Sequence, residues 1–106
     1  MNRYEACMLL DFYGQLLTSR TKLMLDLYYS EDMSLAEIAD QENISRQAVH
    51  DSIRRGQNTL STYEDKLGLV KRFSEQKKMI QEALTALNNS KAGIAVDILD
   101  KLNKSL

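Results

Sequence analysis

Proline is absent from this 106-residue chain and glycine occurs only four times. Proline breaks helix interiors and glycine weakens them, so the composition leaves long helices uninterrupted. With 43% hydrophobic residues, it argues against a turn-rich sandwich, a collagen-like chain or a disordered tail, and for an all-α fold. A single cysteine, Cys7, excludes an internal disulfide, and with one histidine, His50, there is no Cys/His cluster of zinc spacing. Long apolar runs are missing too. The N-terminal stretch is apolar for a few residues before Asp11 interrupts it, too short for a signal-peptide core or a membrane span of about 20 residues. Cytoplasmic residence without membrane insertion is the expectation. Excess charge of either sign is also lacking: 14 Lys and Arg face 15 Asp and Glu, a net of −1, so a polyanion cannot be held by overall charge. At this length a single domain over 1–106 is expected.

Charge is distributed unevenly along the chain. Residues 1–44 carry three basic against eight acidic side chains, residues 45–80 eight against four, and residues 81–106 three against three. An anionic partner would be drawn to the middle of the sequence, although an ordinary solvated helix surface would show the same tally.

Periodicity and capping residues place the helices. Cys7, Leu9, Leu10, Phe12 and Tyr13 mark a first helix over 4–13, ending at Gly14 in the left-handed conformation that glycine suits. Thr18 is placed to cap a second helix in which Leu23, Met24, Leu27 and Tyr28 recur at helical spacing, closed by the polar Ser30-Glu31-Asp32. Ser34-Leu35-Ala36-Glu37 has the pattern of a capping box, opening a short helix over 35–42.

The stretch from Ile38 to Val49, with Ile53 beyond it, then reads as a helix-turn-helix. Ala39 is small where two helices cross, and Ile38, Ile44, Val49 and Ile53 are apolar on the inner side. Asn43 stands at the turn, where a residue tolerating positive φ is needed. Ser45 caps the long helix that follows. Along it Val49, Ile53, Gly56, Leu60, Tyr63 and Leu67 alternate in steps of four and three and form one narrow inner face. Gln47, Asp51, Arg54 and Asn58 fall opposite, with His50 beside them and Arg46 and Arg55 on the flanks. The candidate nucleic-acid-binding set is therefore Ser45, Arg46, Gln47, His50, Asp51, Arg54, Arg55 and Asn58. Gln47 can offer a paired donor and acceptor to adenine, Arg54 can fork onto guanine or a phosphate, and Arg46 and Arg55 suit backbone phosphates. Asp51, three and four residues before Arg54 and Arg55, could instead simply pair with them on a solvated surface.

No catalytic constellation accompanies this face. His50 has no partner for a metal site or a nucleophilic triad and reads as a surface or groove contact, while Cys7 reads as a small core thiol. Met8, Met24, Met33 and Met79 sit at apolar positions as gap-filling side chains. The chain is expected to be no enzyme and to need no metal or other cofactor.

These residues resemble a known family, the YlxM-like proteins, small helix-turn-helix proteins of Gram-positive bacteria encoded beside signal recognition particle components. The resemblance rests on Leu9-Leu10-Asp11-Phe12-Tyr13-Gly14, Leu16-Leu17-Thr18, Leu27-Tyr28-Tyr29, Ser34-Leu35-Ala36-Glu37-Ile38-Ala39, Ile44-Ser45-Arg46-Gln47-Ala48-Val49 and Tyr63-Glu64-Asp65-Lys66-Leu67, about two thirds of the chain. The helix-turn-helix is also similar to sigma-factor region four, which reads the upstream promoter element. What the resemblance implies is an all-helical DNA-binding regulatory protein tied to the signal recognition particle pathway. Gly56 stands mid-helix, at a cost of about 1 kcal/mol relative to Ala, and is expected to mark a close helix crossing.

Residues 18–67 thus form the expected helix-turn-helix core, with further helices over 68–106. Leu69, Val70, Phe73, Ile80, Ala83, Leu84 and Leu87 belong to one of these, Asn88-Asn89-Ser90 breaks it, and Ile94, Ala95, Ile98, Leu99, Leu102 and Leu106 stripe the last. That stripe either packs back on the long helices or pairs with a second copy, giving a homodimer. Two functions fit: a regulator that binds double-stranded DNA through the helix beginning at Ser45, or a protein- or RNA-binding accessory of the signal recognition particle machinery that keeps the motif as a scaffold.

Overall fold

A helix leaves its first four amides and last four carbonyls without internal partners, and side chains that meet them fix where each helix begins and ends. The computed structural model describes residues 1–106 and shows the all-helical architecture expected, with no strand. It divides into two units, residues 1–68 and 69–106. In the first, α1 (Arg3–Tyr13) starts at Asn2, whose side chain accepts from the Glu5 amide at 2.8 Å. Gly14 is not left-handed. It continues as a 3₁₀ turn, Gly14–Leu16, at φ −55°, and what its lack of a side chain provides is room: a Cβ there would sit 3.3 Å from the Lys22 side chain.

Thr18 caps α2 (Ser19–Leu25) as expected, its hydroxyl accepting from the Thr21 amide at 3.2 Å. The helix then loosens into a π turn, Asp26–Ser30, in which the Glu31 amide reaches back to the Asp26 carbonyl at 3.0 Å. A π turn takes one more residue than an α turn and delays the next inward position. The buried set is accordingly Met24, Leu25, Leu27 and Tyr29, whereas Leu23 is exposed and Tyr28 only half-buried, a correction to the face read from simple periodicity. Arg3 donates to the Tyr29 carbonyl at 2.7 Å and the Ser30 carbonyl at 3.2 Å, setting a cation on the carbonyls that end the turn.

Next come α3 (Leu35–Glu42) and the 22-residue α4 (Arg46–Leu67), which packs against α1, α2 and α3. Val49, Ile53, Gly56 and Leu60 are buried on its inner face. Gly56 sits at the closest point of the crossing: a Cβ there would lie 2.7 Å from Leu25 Cδ1 and 2.9 Å from Thr21 Cγ2. Past Leu60 the inner face opens, with Tyr63 half-buried and Leu67 exposed, so the expected seam is covered over only its first two thirds. There the Tyr13 hydroxyl donates to Glu64 Oε1 at 2.5 Å and its ring lies 5.9 Å from that of Tyr63. Gly68, at φ +60°, ends α4 with its amide on the Glu64 carbonyl.

The second unit is a hairpin of α5 (Leu69–Asn88) and α6 (Ala92–Ser105). The break falls where Asn88-Asn89-Ser90 predicted it: Ser90 is left-handed at φ 59°, and the Lys91 amide returns to the Ala86 carbonyl at 2.8 Å. Ala83, Ala86 and Ala95 form its buried centre, with Ile98 packed against them. Of the α6 stripe only Ala95 and Leu102 are buried; Ile94, Leu99 and Leu106 face solvent, as do Ile80, Leu84 and Leu87 of α5. No helix is long and apolar enough to cross a membrane.

Two glycines give opposite expectations. Gly56→Ala gains helix propensity but drives a methyl into the buried Leu25 and the β-branched Thr21, for a net loss of about 1–2 kcal/mol. Gly93→Ala meets nothing within 4 Å in α6 and should stabilise by about 0.5 kcal/mol. Urea titration of both variants by circular dichroism checks the pair; shifts of the same sign would contradict the close crossing.

Candidate nucleic-acid interface

The helix-turn-helix is assembled by three small polar residues. The Ser34 hydroxyl accepts from the Glu37 amide and the Glu37 carboxylate accepts from the Ser34 amide, both at 3.1 Å, so the capping box read from the sequence is present. Asn43 follows α3 in the left-handed conformation, φ 55° and ψ 46°, with its amide on the Ala39 carbonyl. Ser45 then accepts from the Ala48 amide at 3.0 Å and launches α4. Ile38 and Ala39 on one helix and Val49 and Ile53 on the next are buried, while Ile44 between them is half-buried.

This packing turns the opposite face of α4 outward. Ser45, Arg46, Gln47, His50, Asp51, Arg54, Arg55 and Asn58 are all exposed, so every residue of the candidate set is reachable. Asp51 does not pair with an arginine. Its Oδ1 accepts from Gln47 Nε2 at 3.0 Å and lies 3.6 Å from His50 Nδ1, an arrangement that links two candidate residues through one carboxylate and leaves Arg46, Arg54 and Arg55 without an intramolecular ion pair. Three guanidinium groups whose charge is not neutralised by neighbours are what a phosphate-bearing partner requires. Cys7, expected in the core, is half-buried with its Sγ 3.9 Å from the Tyr29 carbonyl. No group of three His, Cys, Asp or Glu side chains is placed to hold a metal ion.

Two cavities flank this face. One is lined by Leu35, Arg46, Gln47 and His50, the other by Tyr28, Leu35, His50, Ile53, Arg54 and Gln57, so Leu35 and His50 border both. Tyr28 and Gln57 were not among the residues singled out from sequence. Tyr28 had been placed on the inner face of its helix, and only the π turn brings it to the edge of the cavity; no pattern in the sequence announces that turn.

A family model described as "Putative helix-turn-helix protein, YlxM / p13 like" matches residues 1–100. The chain belongs to the UPF0122 family. Among its relatives, the UPF0122 protein of Desulforamulus reducens is 48% identical over 91 residues, covering 86% of this chain and 78% of the relative. That of Acetivibrio thermocellus is 57% identical over 81 residues, covering 76% and 69%. That of Bacillus licheniformis is 47% identical over 97 residues, covering 90% of each. These UPF0122 proteins align along most of their length, not over the helix-turn-helix alone.

The capping box makes the entrance to the motif acid-sensitive. The Ser34 amide, and then its hydroxyl, hold the Glu37 carboxyl below its ordinary range by bonding the ionised form. A carboxylate lowered in the folded state stabilises it above the unfolded value, about 4.3, and the contribution is lost as pH falls through the folded one. Because glutamine can also close a capping box, Glu37→Gln should lose less stability than the wild type between pH 7 and pH 3, read as the change in urea midpoint at the two pH values. Equal losses would show that the ionised carboxylate contributes nothing there.

Proposed function

We propose that this UPF0122 protein is a non-enzymatic regulator that binds double-stranded DNA, with α4 as the recognition helix. The observation that carries this reading is the outward face of α4, where Arg46, Arg54 and Arg55 stand unpaired around the linked Gln47, His50 and Asp51. Arg46 and Arg55 would hold backbone phosphates and fix register. Gln47 would read an adenine edge, and Arg54 would fork onto a guanine or a phosphate. Ser45 and Asn58, at either end of the face, would add neutral hydrogen bonds to the backbone. The family resemblance further suggests a link to the signal recognition particle pathway.

The test is an anisotropy titration against a duplex selected from a random library by the wild-type protein. Arg54→Ala with Gln47→Ala should weaken binding at least tenfold, since each bidentate base contact is worth about 1–3 kcal/mol, and should flatten the salt dependence by about one unit of slope. Unchanged affinity would remove α4 as the reading element and favour the protein- or RNA-binding accessory role.

We further propose that two copies associate through the second unit, which would supply two recognition helices for a symmetric site. A hairpin of 38 residues whose buried side chains are Ala83, Ala86, Ala95 and Leu102, with Ile98 half-buried against the alanines, leaves Ile80, Leu84, Leu87, Ile94 and Leu99 in water, and chains this short usually need an added partner to be stable. Sedimentation equilibrium at micromolar concentration should give about twice the 12.1 kDa chain mass, and Leu99→Glu should return it to one. A wild-type mass near 12.1 kDa would exclude the dimer.

A further inference from the structure

We infer that Tyr28 is a nucleic-acid contact outside the recognition helix, its hydroxyl donating to a backbone phosphate of the duplex that flanks α4. The inference rests on the reading of α4 as the DNA-binding helix and extends that surface onto the preceding π turn. Two tyrosines stand side by side in this turn and have different environments. Tyr29 is buried, and its hydroxyl accepts a hydrogen bond from the Gln57 side chain. Tyr28 is half-buried, and its hydroxyl has no partner within the chain. Its ring stands edge-on to that of Tyr29 at 81°, with centroids 4.9 Å apart, which fixes its direction without engaging the oxygen.

One of the cavities that Tyr28 borders lies beside the proposed interface. Tyr28 shares the walls of one cavity of about 350 Å³ with His50 and Arg54, over an apolar floor of Leu35 and Ile53. The cavity bordering it, through His50 and Leu35, is lined by Arg46 and Gln47. Four of the reading residues and Tyr28 thus line two neighbouring cavities beside α4 that share Leu35 and His50. Gln57 also borders the first of them but is committed to Tyr29, so Tyr28 supplies the neutral donor on the side away from α4. A guanidinium and a phenol lining the same cavity, as Arg54 and Tyr28 do, match a phosphodiester: one charge-assisted partner and one neutral hydrogen bond. The π turn explains why the residue is there, since α-helical continuation would have turned it to the core face that Tyr29 occupies instead.

Tyr28→Phe removes only the oxygen and leaves the ring packing on Tyr29. Against the selected duplex it should weaken binding about tenfold at every salt concentration, the loss expected for one hydrogen bond to a charged group, with the salt slope unchanged because no charge is removed. Arg54→Ala should lower affinity and slope together. A scan replacing single phosphates of the duplex by neutral methylphosphonates should find one position at which wild type and Tyr28→Phe bind alike. Thermal unfolding of Tyr28→Phe within a degree or two of wild type would show that the loss is not one of folding; if the variant is destabilised, the methylphosphonate scan compared at a temperature where both are folded still decides. Equal affinity of the two proteins, or no phosphate at which their difference vanishes, would overturn the role of Tyr28 and leave α4 as the reading helix. Failure of the wild type to bind any selected duplex would overturn the DNA-binding reading and this inference with it.

Discussion

The geometry of the site depends on one residue in an uncommon backbone conformation. Asn43 holds φ 55° and ψ 46°, and with only that residue between the end of α3 and Ile44-Ser45, the direction of α4 relative to α3 is fixed by it. For an L-residue with a Cβ this conformation costs on the order of 1 kcal/mol, less for asparagine, whose side chain can hydrogen-bond locally. The cost is offset on both sides. Ile38, Ala39, Val49 and Ile53 become buried only if the two helices cross at the angle the turn gives, and Ser45 can cap α4 only if the chain leaves the turn extended, at ψ 153°. Turn, cap and core select the same geometry, and agreement of this kind gives a short segment a single structure.

The same angle decides what α4 presents. A helix 22 residues long has an inside and an outside only in relation to what it packs on. The inside is defined at Gly56, where Leu25 and Thr21 approach so closely that no side chain fits. With that point against α2 and with Val49 and Ile53 against the turn, the residues half a turn away, Gln47, Asp51, Arg54 and Asn58, have nowhere to go but solvent. Burial of one stripe and exposure of the other are therefore a single fact.

Much of this was legible in the sequence because it is local. Thr18, Ser34, Glu37, Asn43 and Ser45 act within three residues of their own position, so their identity and spacing suffice to read caps and turn, and α3 begins and ends where they place it. Gly56 was legible for a different reason: a residue that disfavours helices in the middle of a strong amphipathic pattern implies a neighbour too close for a side chain. What was not legible depends on partners distant in sequence or on the precise winding of the backbone. The π turn at Asp26–Ser30 exchanges the roles of Tyr28 and Tyr29, and nothing in Asp-Leu-Tyr-Tyr-Ser distinguishes it from an α-helical turn. Arg3 meets the carbonyls of Tyr29 and Ser30, 26 and 27 residues away, and Gly14, whose own dihedral angles are helical, leaves room for the Lys22 side chain eight residues on. For Asp51 the i, i+3 and i, i+4 spacings left pairing with arginine open as the alternative to a binding role; the preceding turn of the helix offered Gln47 at an equal spacing, and His50 beside it.

That last exchange bears on how a protein of net charge −1 could bind DNA selectively. A uniformly basic helix attracts any duplex, because phosphate contacts supply affinity without distinguishing sequences. Here Asp51 lies among three arginines, lowering the attraction to phosphate in general, while its bond to Gln47 holds that amide in place before a partner arrives. Orienting Gln47 in advance reduces the side-chain entropy lost on contact, about 1 kcal/mol for an immobilised flexible side chain, so the carboxylate costs affinity on every sequence and returns part of it only where a base edge matches the amide. On the proposed reading, the acid in the middle of the recognition face is a device for discrimination, and the acidic residues concentrated before position 45 act in the same direction by lowering the attraction of a duplex to that part of the chain.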